Sequence, residues 1–73
     1  MSKIRVFFEN VIANKSEIVL SKSQSHYLVN VMRKNVGDKI LIFNEENGEW
    51  LSEIKNKKKE VILNILNQTK KPE

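Results

Sequence analysis

Ser21-Lys22-Ser23-Gln24-Ser25-His26-Tyr27-Leu28-Val29-Asn30-Val31-Met32-Arg33-Lys34-Asn35-Val36-Gly37-Asp38 is the one stretch of the chain that reads as a helix. Ser21 followed by Gln24 has the form of a capping box, in which each side chain satisfies a backbone N–H left open by the first turn. The helix is therefore expected to begin at Lys22. At about 100° per residue, Tyr27, Leu28, Val31 and Met32 fall in one apolar arc, expected to be core. Lys22, His26, Asn30 and Arg33 form a polar stripe almost opposite. A helix ending near Arg33 or Lys34 needs a C-terminal turn where Asn35 and Gly37, both tolerant of positive φ, stand.

Outward from the helix the pattern changes to strands. On the N-terminal side, Ile4-Arg5-Val6-Phe7-Phe8-Glu9 alternates, with Ile4, Val6 and Phe8 on one face and Arg5, Phe7 and Glu9 on the other. Glu17-Ile18-Val19-Leu20 makes a short second strand after a loop. On the C-terminal side, Lys39-Ile40-Leu41-Ile42-Phe43 is apolar on both faces and is expected at the centre of the fold, covered by the helix on one side and by sheet on the other. Asn44 to Gly48 is a turn cluster in which Asn47-Gly48 signals a hairpin, both residues accepting positive φ. Glu49 to Ile54 returns with Trp50, Ser52 and Ile54 on one face, Lys55 to Lys59 makes a polar turn, and Val61 to Leu66 is the last strand. Residues 1–67 thus form one domain, and residues 68–73 read as a linker or tail. Five short strands with one helix after the second are too few for an open sheet to hide its edges, so a small, mainly antiparallel β-barrel is expected, its end covered by the helix.

Seventy-three residues allow one small core. The absence of cysteine excludes a disulfide scaffold, a thiolate metal site and a cysteine nucleophile, and suits the cytoplasm. No apolar run approaches the roughly 20 residues that span a bilayer, and Met1 to Arg5 lacks the features of a secretory signal, so no membrane partner is expected. A single histidine and two glycines leave no His-rich metal set and no glycine-rich phosphate loop. Neither catalytic nor metal-ligating residues are assigned, and the chain by itself is read as no enzyme. Glu45, Glu46 and Glu49 crowd one hairpin and are read as a solvated turn.

The net charge of +4 favours an anionic partner. Only Arg5 and Arg33 among the 13 basic residues are arginines, and the guanidinium fork does what lysine cannot copy. Lys22, His26, Asn30 and Arg33, with Lys34 beside them, combine cations with an amide able to contact a nucleotide. The competing reading is a solvated face, with Arg33 and Lys34 complementing the helix dipole. The lysines of the Lys55–Lys59 turn are read as guards of solubility, and Trp50 as core.

The run His26-Tyr27-Leu28-Val29-Asn30-Val31-Met32-Arg33, followed by Val36-Gly37-Asp38 and a strand ending in Phe43, resembles the N-terminal signature of the RsmE family, bacterial methyltransferases acting on N3 of a uridine in small-subunit ribosomal RNA. Arg5-Val6-Phe7-Phe8 resembles that family's opening strand. The resemblance covers nearly the whole chain and implies a PUA-like, RNA-binding β-barrel, with Arg5, Lys22, His26, Asn30, Arg33 and Lys34 as RNA-binding candidates. It implies small-subunit ribosomal RNA or the ribosomal subunit as partner. In the parent family a larger knotted domain of the SPOUT class binds S-adenosylmethionine, forms the homodimer and carries out methylation; it does not follow Glu73, so the chain resembles a fragment with no cofactor of its own. One departure is that the family's Asp-Gly-like turn after the strand phenylalanine is replaced here by Asn44-Glu45, with the glycine later, at Gly48. A freestanding RNA-binding module and a protein-docking module that uses the helix stripe are the alternatives.

Overall fold

A computed structural model describes residues 4–72. Met1–Lys3, from the N-terminal stretch read as lacking a secretory signal, and Glu73, the last residue of the expected tail, lie outside the described residues. The elements follow the expected order. They are β1 (Arg5–Phe7), β2 (Glu17–Val19), helix α1 (Lys22–His26) continuing into a π-helical turn (Tyr27–Val31), β3 (Lys39–Asn44), β4 (Gly48–Asn56) and β5 (Ile62–Lys70). The fold is mainly β, a single curled sheet in the order β1-β3-β4-β5-β2. All its ladders are antiparallel except β1 on β3, where Arg5 to Phe7 run beside Leu41 to Phe43 in parallel. The expected five-stranded architecture with a helix after the second strand is the one seen, with the sheet curled into a half-barrel. β1 and β2 are its two edges.

Alternation decides which side chains fill the concave face. Val6, Ile18, Ile40, Ile42, Ile54, Leu63 and Ile65 enclose the core together with Ile12, Leu20, Leu28 and Val61, while Ile4, Phe8, Val29 and Trp50 pack partly buried against it. Each fully buried aliphatic side chain contributes roughly 1.5–3 kcal/mol relative to exposure. Ser52, fully buried among them, donates its hydroxyl to the Ile40 carbonyl at 2.9 Å, which removes the cost of an unpaired polar atom. Trp50 keeps its indole N–H satisfied by the Asn47 carbonyl at 2.7 Å. The central strand is β4, not β3. β3 has Ile40 and Ile42 fully buried, but Leu41 and Phe43 on the convex face are only half-buried, because no second layer among the described residues covers that side.

Three local expectations need correction. The hairpin between β3 and β4 pairs Asn44 with Gly48 across a three-residue loop, and only Gly48 has positive φ, +80°. Asn44 explains the longer loop: its side-chain oxygen accepts the Asn47 N–H at 2.6 Å, and its amide donates to the carbonyls of Phe8 and Asn10, tying the turn to the chain after β1. In the capping box, Ser21 accepts the Gln24 N–H at 3.2 Å as expected, but the Gln24 amide reaches across to the Phe7 carbonyl, linking the helix to β1. Last, β5 continues through Lys70, with Gln68 opposite Trp50 and Lys70 opposite Glu49, so residues 68–70 of the stretch read as a linker are strand. The sequence masks this extension because residues 66–70 are all exposed and carry no buried alternation.

Candidate nucleic-acid interface

The helix is α-helical for five residues and then widens. The Met32 N–H bonds the Tyr27 carbonyl, five residues back, and the Lys34 N–H bonds the Leu28 carbonyl, both at 2.9 Å. A π turn holds more residues than an α turn, so the 100° projection loses phase after His26. Of the four residues expected in the core, only Leu28 is buried. Tyr27, Val31 and Met32 are 45%, 58% and 37% exposed. Ser25 occupies the buried side in their place, its hydroxyl accepting the Val61 N–H at 2.8 Å. π turns are rare and recur at functional sites, which makes this segment a natural place to look for one.

The turn that ends the helix is also displaced. Arg33, rather than Asn35, has the left-handed conformation, with φ +55°; Gly37 follows at +94°. For a residue bearing a Cβ this region costs roughly 1–2 kcal/mol. Arg33 makes no side-chain hydrogen bond or ion pair among the described residues, and the Asp38 carboxylate instead accepts the Asn35 N–H at 2.7 Å.

Lys22, His26, Asn30 and Arg33 are all exposed on this segment, and Lys34 is half-buried beside them. The Asn30 amide donates to His26 Nδ1 at 2.8 Å, one turn away, which leaves the imidazole N–H on Nε2. Other cations are engaged: on the strands Lys39 pairs with Glu53 at 2.8 Å and Lys55 pairs with Glu17, and in the turn after β4 Lys57 donates to Asn35 Oδ1 at 2.7 Å. Lys22, Arg33 and Lys34 have no acidic partner among the described residues. Of the polar turn, Lys58 and Lys59 stay exposed.

Arg5 does not join this group. Its side chain lies on the convex face, with Nε donating to Glu49 Oε2 at 2.8 Å and the guanidinium carbon 4.5 Å from the Phe43 ring centroid. Glu49 is the second residue of β4, whereas the loop after the helix is tied toward the other end of that strand, Gly37 N–H to Ile54 carbonyl. At about 3.3 Å per residue, Glu49 and Ile54 lie roughly 17 Å apart along the strand.

Glu49 is a residue the sequence reading missed. It is buried, 6% exposed, not part of a solvated turn. The Thr69 hydroxyl donates to Oε1 at 2.8 Å and holds the carboxyl below its ordinary pKa against the opposing effect of burial, with Arg5 and Lys70 adding to the depression. The signal was indirect: Glu49 is buried only because β5 extends far enough to bring Thr69 beside it.

Residues 20–66 match the family described as the RNA methyltransferase PUA domain. No curated protein matches the chain. Among solved structures, a putative methyltransferase from Legionella pneumophila in complex with S-adenosylmethionine is similar over 92% of this chain, with 25% identity and a TM-score of 0.83. A ribosomal RNA small subunit methyltransferase E from Neisseria gonorrhoeae, bound to S-adenosylmethionine, is similar over 90% with 15% identity and a TM-score of 0.79, a likeness of fold. A hypothetical protein gives 27% identity over 89% of the chain and a TM-score of 0.75. The chain spans 28% of the length of each of these three proteins. The curled five-stranded sheet, the helix between its second and third strands and the match across most of its length make this chain a member of the RNA methyltransferase PUA domain family.

Proposed function

We propose that this domain holds small-subunit ribosomal RNA for methylation at a uridine N3 by a longer protein. S-adenosylmethionine, the catalytic groups and the homodimer interface then belong to the larger part of such proteins that this chain does not span. In this reading the protein works in the cytoplasm, where ribosomal subunits are assembled. The observation that carries the proposal is the gathering of unpaired cations beside an exposed amide and imidazole: Lys22, Arg33 and Lys34 stand on the segment that displays His26 and Asn30 and have no carboxylate partner among the described residues, whereas Arg5, Lys39 and Lys55 are each paired with one. Unpaired cations on a displayed segment are available to phosphates, and an exposed amide and imidazole beside them can contact sugar or base.

A second reading has its own observation. Tyr27, Val31, Met32 and Val36 leave apolar surface exposed along the same segment, as a protein-docking face would. Salt separates the two. Three or four phosphate contacts give a log–log slope of about −2 to −3 on single-stranded RNA, by roughly −0.7 per phosphate. The test is fluorescence anisotropy of the folded chain with labelled small-subunit ribosomal RNA fragments over a salt series. Binding with that slope supports the proposal, and no binding at low salt contradicts it and favours docking on protein.

A further inference from the structure

On the convex face, a groove of about 430 Å³ runs between the start of β4 and the end of β5, lined by Arg5, Phe43, Glu49, Lys70 and Lys71. Its floor is fixed unusually well for a surface. The Arg5 guanidinium lies over the Phe43 ring, and Phe7 meets that ring edge-on, with centroids 5.8 Å apart. Nε is anchored by Glu49, itself held by Thr69. The Arg5 side chain nevertheless remains 53% exposed. The guanidinium carbon thus sits against an aromatic ring while about half of the side chain stays open to solvent, and Nε is its only hydrogen-bonded atom among the described residues.

We infer that this groove is a single-nucleotide site, in which an unstacked RNA base lies on the open face of the Arg5 guanidinium and its phosphate is met by Lys70 and Lys71. The inference rests on the RNA-binding reading and adds to it a second contact surface, remote from Arg33. Guanidinium planes are stacking platforms for splayed bases, and the orientation of this one is already set by Phe43 and Glu49, so little freedom is lost on binding. The volume suits a small ligand. Glu49 is already engaged with Arg5 and Thr69, which leaves Lys70 and Lys71 as the cations of the lining and Glu45 as its one carboxylate with no such partner among the described residues. Close packing of Gly48 under the Lys70 carbonyl, where a Cβ would fall 2.2 Å from the oxygen, brings the two walls together.

The test is nuclear magnetic resonance of the nitrogen-15-labelled chain, following the Arg5 Nε–H signal and the amides of Thr69, Lys70 and the helix segment. The probes are octa-adenylate and an abasic ribose-phosphate octamer. The expected result is a shift of Arg5 Nε–H with octa-adenylate that is much smaller with the abasic strand. Arg5→Lys should weaken octa-adenylate binding about tenfold at constant salt slope, as loss of one stacked base does. Lys70→Ala combined with Lys71→Ala should reduce the slope by roughly 1.4, two phosphates' worth. Equal shifts with both strands would overturn base stacking. Shifts confined to the helix segment, with Arg5 unmoved, would overturn the groove while leaving the proposed function intact. No shift anywhere would overturn both. Should Arg5→Lys fail to fold, the comparison of the two strands on the unaltered chain still decides the matter.

Discussion

The Ser25 hydroxyl accepts the backbone N–H of Val61 at 2.8 Å, while the Val61 carbonyl accepts the N–H of Leu20. A side chain of the helix thus completes the backbone pairing between the end of β2 and the start of β5. Ser25→Ala leaves a buried donor unpaired and should destabilise the chain by about 1–3 kcal/mol, measured by urea unfolding. A loss below 0.5 kcal/mol would mean that the helix is not held this way.

The two glycines should respond differently to alanine. At Gly48 a Cβ meets the Lys70 carbonyl oxygen and φ is +80°, so both sterics and backbone oppose it; at Gly37 φ is +94° but nothing lies within 4 Å. Gly37→Ala should cost only the backbone term, about 1–2 kcal/mol. Gly48→Ala should cost clearly more, and its β4–β5 amides should lose hydrogen-exchange protection.

Acid should weaken the fold through Glu49. Its carboxyl is held below the ordinary value of 4.5 by the Thr69 hydroxyl, against burial, and by Arg5 and Lys70. A group with a depressed folded pKa adds stability that is full above the unfolded value and is lost as pH falls through the folded one. The melting temperature should therefore drop below about pH 4.5, and Glu49→Gln should be less stable than the parent at neutral pH with a flatter profile in that acidic window. Parallel profiles would show that Glu49 is not the group responsible.

The strand pattern was legible because alternation is a local property. Val6, Ile18, Ile40, Ile42 and Ile54 are buried where period two puts them. The helix was legible in position but not in phase. Nothing in Tyr27–Val31 announces a π turn, and the partners that anchor this segment, the core around Leu28 and the Val61 N–H on Ser25, lie far away in sequence. Arg5 and Glu49 lie 44 residues apart, and no local pattern pairs them. One pair of substitutions reports the true phase: Leu28→Ala should cost about 2–5 kcal/mol, Val31→Ser well under 1 kcal/mol. Equal losses in thermal unfolding would restore the uniform α-helix.

The central claim is that the displayed helix end binds RNA through Arg33. Arg33→Lys keeps the charge and the side-chain bulk at φ +55° but removes the planar fork, so stability should hardly change while binding falls. Arg33→Gly relieves the left-handed backbone and loses the cation altogether, so it should melt no lower than the parent and bind more weakly still. The deciding measurement is the affinity of Arg33→Lys for small-subunit ribosomal RNA fragments beside its melting temperature. The account predicts binding weaker by about 1 kcal/mol, roughly fivefold, at an unchanged melting temperature. Unchanged binding with melting several degrees lower would contradict it and make Arg33 a strut of the fold.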